Sequence, residues 1–277
     1  MTRAYFTAAT FAVWSYKSLG RVNSKNEGKR KSLPKLFSEG LKMKKECELI
    51  LWGEEPIRTS RLKGVWGRRL TNKQKEMLVL TKKAKSILLG ILLSDGWVQR
   101  GKKNWNPRIG IKQSKKNVNY LLNIMNEIGY LYPSRGIMEG KNEMRGKEWE
   151  NVSIVTRALP SLKEVIGLLY EEKNGKLVRR IKEEMVNSMD EVVLAHWIMG
   201  DGSKRNEGII LCTDGFTMKE VVMLMNMLII RLGINPRIHK EKGRSRIYIE
   251  GGELKKIRGR LEENIIKHFK YKLNDLV

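Results

Sequence analysis

The sequence predicts an α+β fold. It consists of two pseudo-symmetric αββαββα repeats whose hairpins join into one curved β-saddle with a basic face. One apolar helix from each repeat packs against its twin at the centre. Three observations predict this. Two nine-residue stretches, LLGILLSDG at 88–96 and LAHWIMGDG at 194–202, are apolar and turn polar only at a closing Asp-Gly. The order of elements after the first stretch recurs after the second, the mark of an internal duplication. Lys and Arg number 55 against 30 Asp and Glu, a net charge of +25.

The bulk numbers narrow the function classes. At 277 residues the chain can bury one large core or two small ones. Solubility needs a net charge of only about 2–8, so the excess implies a polyanionic partner, most simply nucleic acid. A membrane surface is the lesser alternative: the charges are dispersed, and no apolar run approaches the roughly 18 residues of a bilayer span. Two cysteines, Cys47 and Cys212, exclude a disulfide framework and a Cys-rich zinc site. His196, His239 and His268 lack metal-ligand spacing and read as structural or surface residues. Any metal is therefore a hard cation held by carboxylates.

Taken in order, residues 1–80 are a basic extension, rich in Ser, Gly and Asn up to Gly40. The first repeat spans 81–187 and the second 188–277. Residues 82–95 form the first apolar helix. Trp97–Asn104 and Arg108–Gln113 alternate polar with apolar residues and are broken by Gly, Asn and Pro, which predicts a half-buried hairpin. A two-stranded ribbon of this kind fits the major groove, and its polar side chains include Gln99, Arg100, Lys103, Arg108, Lys112 and Gln113. Val118–Ile128 is an amphipathic helix closed by Gly129. A second hairpin runs from Arg135 to Met138 and from Trp149 to Val155, and helices follow at 159–170 and 177–185, separated by Asn174-Gly175.

In the second repeat, a turn at Lys204-Arg205-Asn206 leads to a strand at 208–213 and a helix at 218–232 stopped by Gly233. A hairpin of 237–240 and 246–250 carries Arg237, Lys240, Arg244 and Arg246 around the basic turn Lys242-Gly243-Arg244, and 254–268 forms the last helix. The spacing repeats as well: Asp95 to Gly129 is 34 residues, Asp201 to Gly233 is 32, and a Pro and then an Arg follow each Gly.

The two aspartates carry the chemistry. A Gly after a helix suits the left-handed position, but a carboxylate there faces the negative end of the helix dipole, at a cost of about 0.3–1 kcal/mol. Placing this misfit twice, 106 positions apart, implies that both carboxylates act together around a cation. Ser86, Gly90 and Ser94 fall at i, i+4 and i+8 and make one helix face nearly flat, so that the backbones approach closely. His196 stands where the first stretch has Gly90, so the packing is close without being symmetric.

Both stretches resemble the LAGLIDADG motif of homing endonucleases, in the single-chain form with two copies; the resemblance covers roughly 84–277. It implies a site-specific double-strand DNA endonuclease of intron homing, with Mg2+ as cofactor and Mn2+ or Ca2+ able to substitute in binding. Asp95 and Asp201 are then the metal ligands, helped by the carbonyls of Ser94 and Gly200. Gln113 matches the position that orients water, and its counterpart in the second repeat is Asp214, a departure from the pattern. The basic residue of each site matches Lys176 and Lys272, with the choice among the lysines of 173–182 open. Arg135, Lys204 and Arg205 join the expected DNA contacts. Thr2–Thr10 resembles cytochrome c oxidase subunit I, which implies an intron reading frame in a mitochondrial genome. The implied partner is a double-stranded DNA target bound by a monomer. Two alternatives stay open: an RNA maturase acting on its own group I intron, and a DNA-binding regulator without cleavage.

Overall fold

In the computed structural model, the described residues are 70–273, without 134, 145, 146 and 242. The basic extension up to residue 69, including the segment resembling subunit I, and the predicted Lys242 lie outside them. The described residues belong to one compact unit. Helix α1 (Asn72–Glu76) is closed by a capping box between Thr71 and Gln74. Leu80 already lies in the core, so the folded body begins before the expected boundary at 81.

The first repeat runs α2 (Lys82–Leu93), β1 (Gly96–Gln99), β2 (Arg108–Ser114), α3 (Val118–Ile128), β3 (Met138–Met144), β4 (Lys147–Val155) and α4 (Leu162–Leu169). A hairpin of β5 (Tyr170–Lys173) and β6 (Lys176–Arg179) and a 3-10 stretch, Glu183–Ser188, connect it to the second. There α5 (Glu191–Asp201), β7 (Gly202–Arg205), β8 (Gly208–Leu211), α6 (Met218–Leu232), β9 (Arg237–Glu241) and β10 (Arg244–Ile249) repeat the order, followed by α7 (Gly251–Lys255), α8 (Arg258–Glu262) and a 3-10 stretch, Lys267–Lys272. The sheets are ordered β1-β2-β4-β3 and β7-β8-β10-β9, the same path twice. No helix among the described residues is long and apolar enough to cross a membrane.

The central helices show why the small residues matter. Thr81 caps α2 and Asp190 caps α5, each side chain accepting a backbone N–H. Ser86 donates to Asp190 Oδ2 at 2.7 Å at the N-terminal ends. Midway, a Cβ on Gly90 would lie 2.5 Å from the Cβ of His196 and 2.6 Å from the Val193 carbonyl. At the C-terminal ends, a Cβ on Gly200 would lie 2.5 Å from the Cβ of Ser94. The helices thus run parallel, in backbone contact along their length, and both end at the same place. His196 is the predicted break in symmetry. Its Nδ1 sits 2.9 Å from the Tyr120 hydroxyl, and burial lowers its pKa to about 3, which keeps the ring neutral in the core.

Four readings of the chain change. The glycines after the aspartates are not left-handed. Gly202 is extended, at φ −73° and ψ 134°, and Gly96 is absent from the positive-φ glycines. Each opens a strand directly off a helix, where a Cβ would lie 2.6 Å from the carbonyl of Ile91 or of Ile198. The helix expected at 177–185 is instead β6 and a 3-10 turn. Asn174 and Gly175 both have positive φ, 51° and 75°, the two-residue hairpin turn that Asn-Gly favours. Lys204 and Arg205 lie in β7, with the turn beginning at Asn206. The last helix is broken: Leu254, Ile257, Leu261, Ile265 and Phe269 are buried at helical spacing, but Ile257 and Ile266 leave helical geometry, so the segment wraps around the core.

Candidate functional site

Sheet register decides which side chains face the open side of the saddle. In β2, Ile109 and Ile111 are buried, so Arg108 and Lys112 face the other way, and Gln99 pairs with Arg108 on that face. In the second sheet, Ile247 and Ile249 are buried. Arg244 and Arg246 therefore face out with their partners Glu241 and His239, while Arg205, opposite Gly208, and Arg237, opposite Tyr248, share that side. Two expected contacts are corrected by the same period of two. Lys204 pairs with Ile209 and Lys240 with Ser245, so both have the parity of the core-facing residues. Lys103 lies in the loop after β1 rather than in a strand, and Arg135 is exposed before β3.

Several of these cations are already engaged. Arg100 and Lys103 pair with Glu172 at 3.0 and 3.5 Å, and Arg237 pairs with Glu250 at 2.8 Å. Arg246 donates from Nε and Nη2 to the two oxygens of Asp214, each at 3.1 Å, and from Nη1 to Glu241 at 2.7 Å. Arg244 adds a third donor to Asp214 at 2.6 Å, and Arg205 reaches Glu241 at 3.3 Å. The hydrogen bonds from Arg246 hold the Asp214 carboxyl down at about 2.

At the centre, Asp95 lies just beyond the end of α2 and Asp201 is the last residue of α5. Burial pushes the Asp95 carboxyl up, against the hydrogen bond from Gln113 and the charge of Lys272. Burial and then the charge of Asp95 push Asp201 to about 6, while Arg179 and Lys272 pull it down. Gln113 has the parity of buried Ile111, and its amide Nε2 donates to Asp95 Oδ2. Lys272 is buried and donates to the carbonyls of Ile198 and Met199 at 2.8 and 2.9 Å, so it caps the end of α5. Burial brings its pKa down to about 8 against the pull of both aspartates. The hydroxyl of Ser94 turns back onto the Gly90 carbonyl, at 3.0 Å.

Lys176 is exposed at the tip of the β5–β6 hairpin, opposite Lys173. The cation of that hairpin that acts on Asp201 is Arg179, three residues further on. Its guanidinium stacks over Phe216 at 5.2 Å and near Tyr170 at 6.0 Å. Arg179 was legible only through the Asn174-Gly175 turn: reading that as a hairpin puts 176–179 in a strand that projects back over the site.

The residues present fit a hard divalent cation. No cluster of three or more His, Cys, Asp or Glu side chains occurs among the described residues, and two carboxylates near enough to feel each other's charge are the protein share that Mg2+ accepts, alongside water and phosphate oxygens. The upward push of Asp95 on Asp201 is the repulsion a cation would relieve.

An internally duplicated saddle with one carboxylate from each half at its keel is the class of protein that fold and site define. A family model described as the LAGLIDADG DNA endonuclease family matches residues 85–257. The chain belongs to that family, whose members are nucleases that hydrolyse DNA phosphodiester bonds with a divalent metal. It is 26% identical to a probable intron-encoded endonuclease 1 of Wickerhamomyces canadensis, over 72% of this chain and 87% of that protein. It is also 26% identical to the cytochrome b mRNA maturase bI2 of Saccharomyces cerevisiae, over 69% of this chain but 47% of that protein. The homing endonuclease I-WcaI, solved bound to its DNA recognition sequence, shares the fold. Its TM-score is 0.65 at 24% identity, covering 79% of this chain and 98% of that one.

Proposed function

We propose that this chain is a monomeric, Mg2+-dependent homing endonuclease that cuts both strands of a long DNA site at the insertion point of its own intron, in mitochondria. The observation that carries the reading is the meeting of Asp95 and Asp201 at the ends of two parallel helices beneath the arginine-bearing ribbons. Repeats 81–187 and 188–277 each supply one half of the saddle, and 1–80 adds positive charge.

Asp95 and Asp201 would hold the cation, helped by the carbonyls of Ser94 and Gly200. When bound, the metal polarises the scissile phosphate and lowers the pKa of its water. The chain does the rest. Gln113 orients the Asp95 carboxylate through its amide N–H. Lys272 keeps positive charge beside both carboxylates and locks the end of α5 through two carbonyls. Arg179, whose charge acts on Asp201, takes the basic role that Lys176 was expected to fill at one of the two sites. Gln99, Arg108, Lys112, Arg205, Arg237, Arg244 and Arg246 contact the duplex, and because each reads little, recognition is long and tolerant. The test is cleavage of the uninterrupted exon junction with Mg2+. The wild type linearises it, while Asp95→Asn and Asp201→Asn bind without cutting. Intact DNA after prolonged incubation with the wild type would refute the reading.

The maturase relatives favour a second activity, help in splicing the chain's own intron RNA. Binding RNA needs neither carboxylate, so a splicing assay with Asp95→Asn and Asp201→Asn separates the two activities: splicing help survives the loss of cutting.

A further inference from the structure

We propose that Asn117 and His268 are positioning residues of the first site, fixing the Gln113 amide against Asp95 and making that site dependent on the second repeat. The inference rests on the endonuclease reading. One charge sets the polarity of the whole chain of contacts. A carboxylate offers only acceptors, so Gln113 meets Asp95 through Nε2. Gln113 Oε1 then points away and accepts from Asn117 Nδ2 at 2.9 Å. That leaves Asn117 Oδ1 facing His268 Nε2 at 3.0 Å, a nitrogen that must carry its proton. Both the neutral Nε2–H tautomer and the imidazolium meet this requirement. Reversing either amide would set acceptor against acceptor.

The placement of Asn117 is telling. It stands at the N-cap of α3, where an Asn side chain ordinarily accepts a backbone N–H of the first turn. Here it makes no such bond and gives its amide to Gln113 instead. His268 arrives from the other repeat, on the same stretch, Lys267–Lys272, that delivers Lys272. The second site is built differently. Asp214 is bound by Arg244 and Arg246, and α6 is capped by its own box of Thr217 and Glu220. The relay therefore serves one site, and its loss falls on one strand.

The experiment uses the full chain and a target duplex with each strand separately end-labelled. Asn117→Asp keeps an acceptor for His268 but turns a carboxylate oxygen towards Gln113 Oε1. It slows cleavage of one strand by about 10–100-fold, the usual effect of removing an outer partner of a metal ligand, and leaves the other within about twofold. His268→Leu behaves likewise, and His268→Gln, whose amide N–H replaces the ring donor, restores the rate. Without metal, the side-chain amide signals of Gln113, identified by their loss in Gln113→Glu, shift in Asn117→Asp and His268→Leu but not in His268→Gln. Equal slowing of both strands, or of neither, overturns the proposal while the endonuclease reading stands. A wild type that cuts neither strand removes both.

Discussion

The contact between Gly200 and Ser94 is a sharp test of how the two halves meet. In Gly200→Ala the new methyl carbon would lie 2.5 Å from the Cβ of Ser94 and 3.3 Å from Asp95 Oδ2. Carbon atoms rest at about 3.5–4.0 Å, so the helix ends must part by about 1 Å. Overpacking of this kind costs about 1–3 kcal/mol, and at about 2–4 °C per kcal/mol for a chain of this size, Tm falls by about 2–12 °C. Activity suffers more, because a misplacement of 1 Å costs about 100-fold. Thermal melts and plasmid linearisation measure the two effects. Since the obstruction is the Ser94 side chain, Ser94→Gly in the Gly200→Ala background recovers most of the loss. The coupling energy in the double-mutant cycle exceeds about 0.5 kcal/mol, the spread of independent sites. An unchanged Tm and rate in Gly200→Ala, or additive losses in the double mutant, would refute the close approach of the helices.

Three further outcomes follow from the site. Asp201 has a folded pKa of about 6 against an ordinary value of 3.8, so its ionised form destabilises the fold above pH 6, and that loss is relieved as pH falls towards 3.8. Metal-free Asp201→Asn is therefore more stable than the wild type at pH 8, by about 2 kcal/mol once the roughly 3 kcal/mol of that shift is reduced for solvent screening of a partly exposed carboxylate, with the gap closing near pH 4 in paired melts. Arg179→Met slows cleavage of one strand by about tenfold or more, whereas Lys176→Met stays within about twofold in the same nicking assay. Asp214→Asn releases Arg244 and loosens Arg246, which keeps its bond to Glu241, so affinity for unrelated duplex rises and the slope of log K against log salt steepens by about 0.9 per added phosphate contact in a titration.

The sequence by itself determined the architecture and its keel. Two apolar stretches ending in Asp-Gly, the flat face of Ser86, Gly90 and Ser94, and the repeated hairpins are local patterns, and local patterns survive folding because they state which face must be buried. Lys272 and Gln113 were matched through resemblance to a motif; in the structure Gln113 donates to Asp95, while Lys272 donates to the carbonyls of Ile198 and Met199 and acts on both aspartates through its charge. What only the tertiary structure decided depended on register and on partners distant in the chain. Lys204 and Lys240 differ from Arg205 and Arg237 only in parity, which has no meaning until the buried face of each sheet is known. Arg179 reaches Asp201 only because Asn174-Gly175 folds a hairpin where helical spacing suggested a rod. The path from Asp95 through Gln113 and Asn117 to His268 joins residues up to 173 positions apart. A hydrogen bond needs its partners within about 3 Å, and spacing along a chain carries no information at that range.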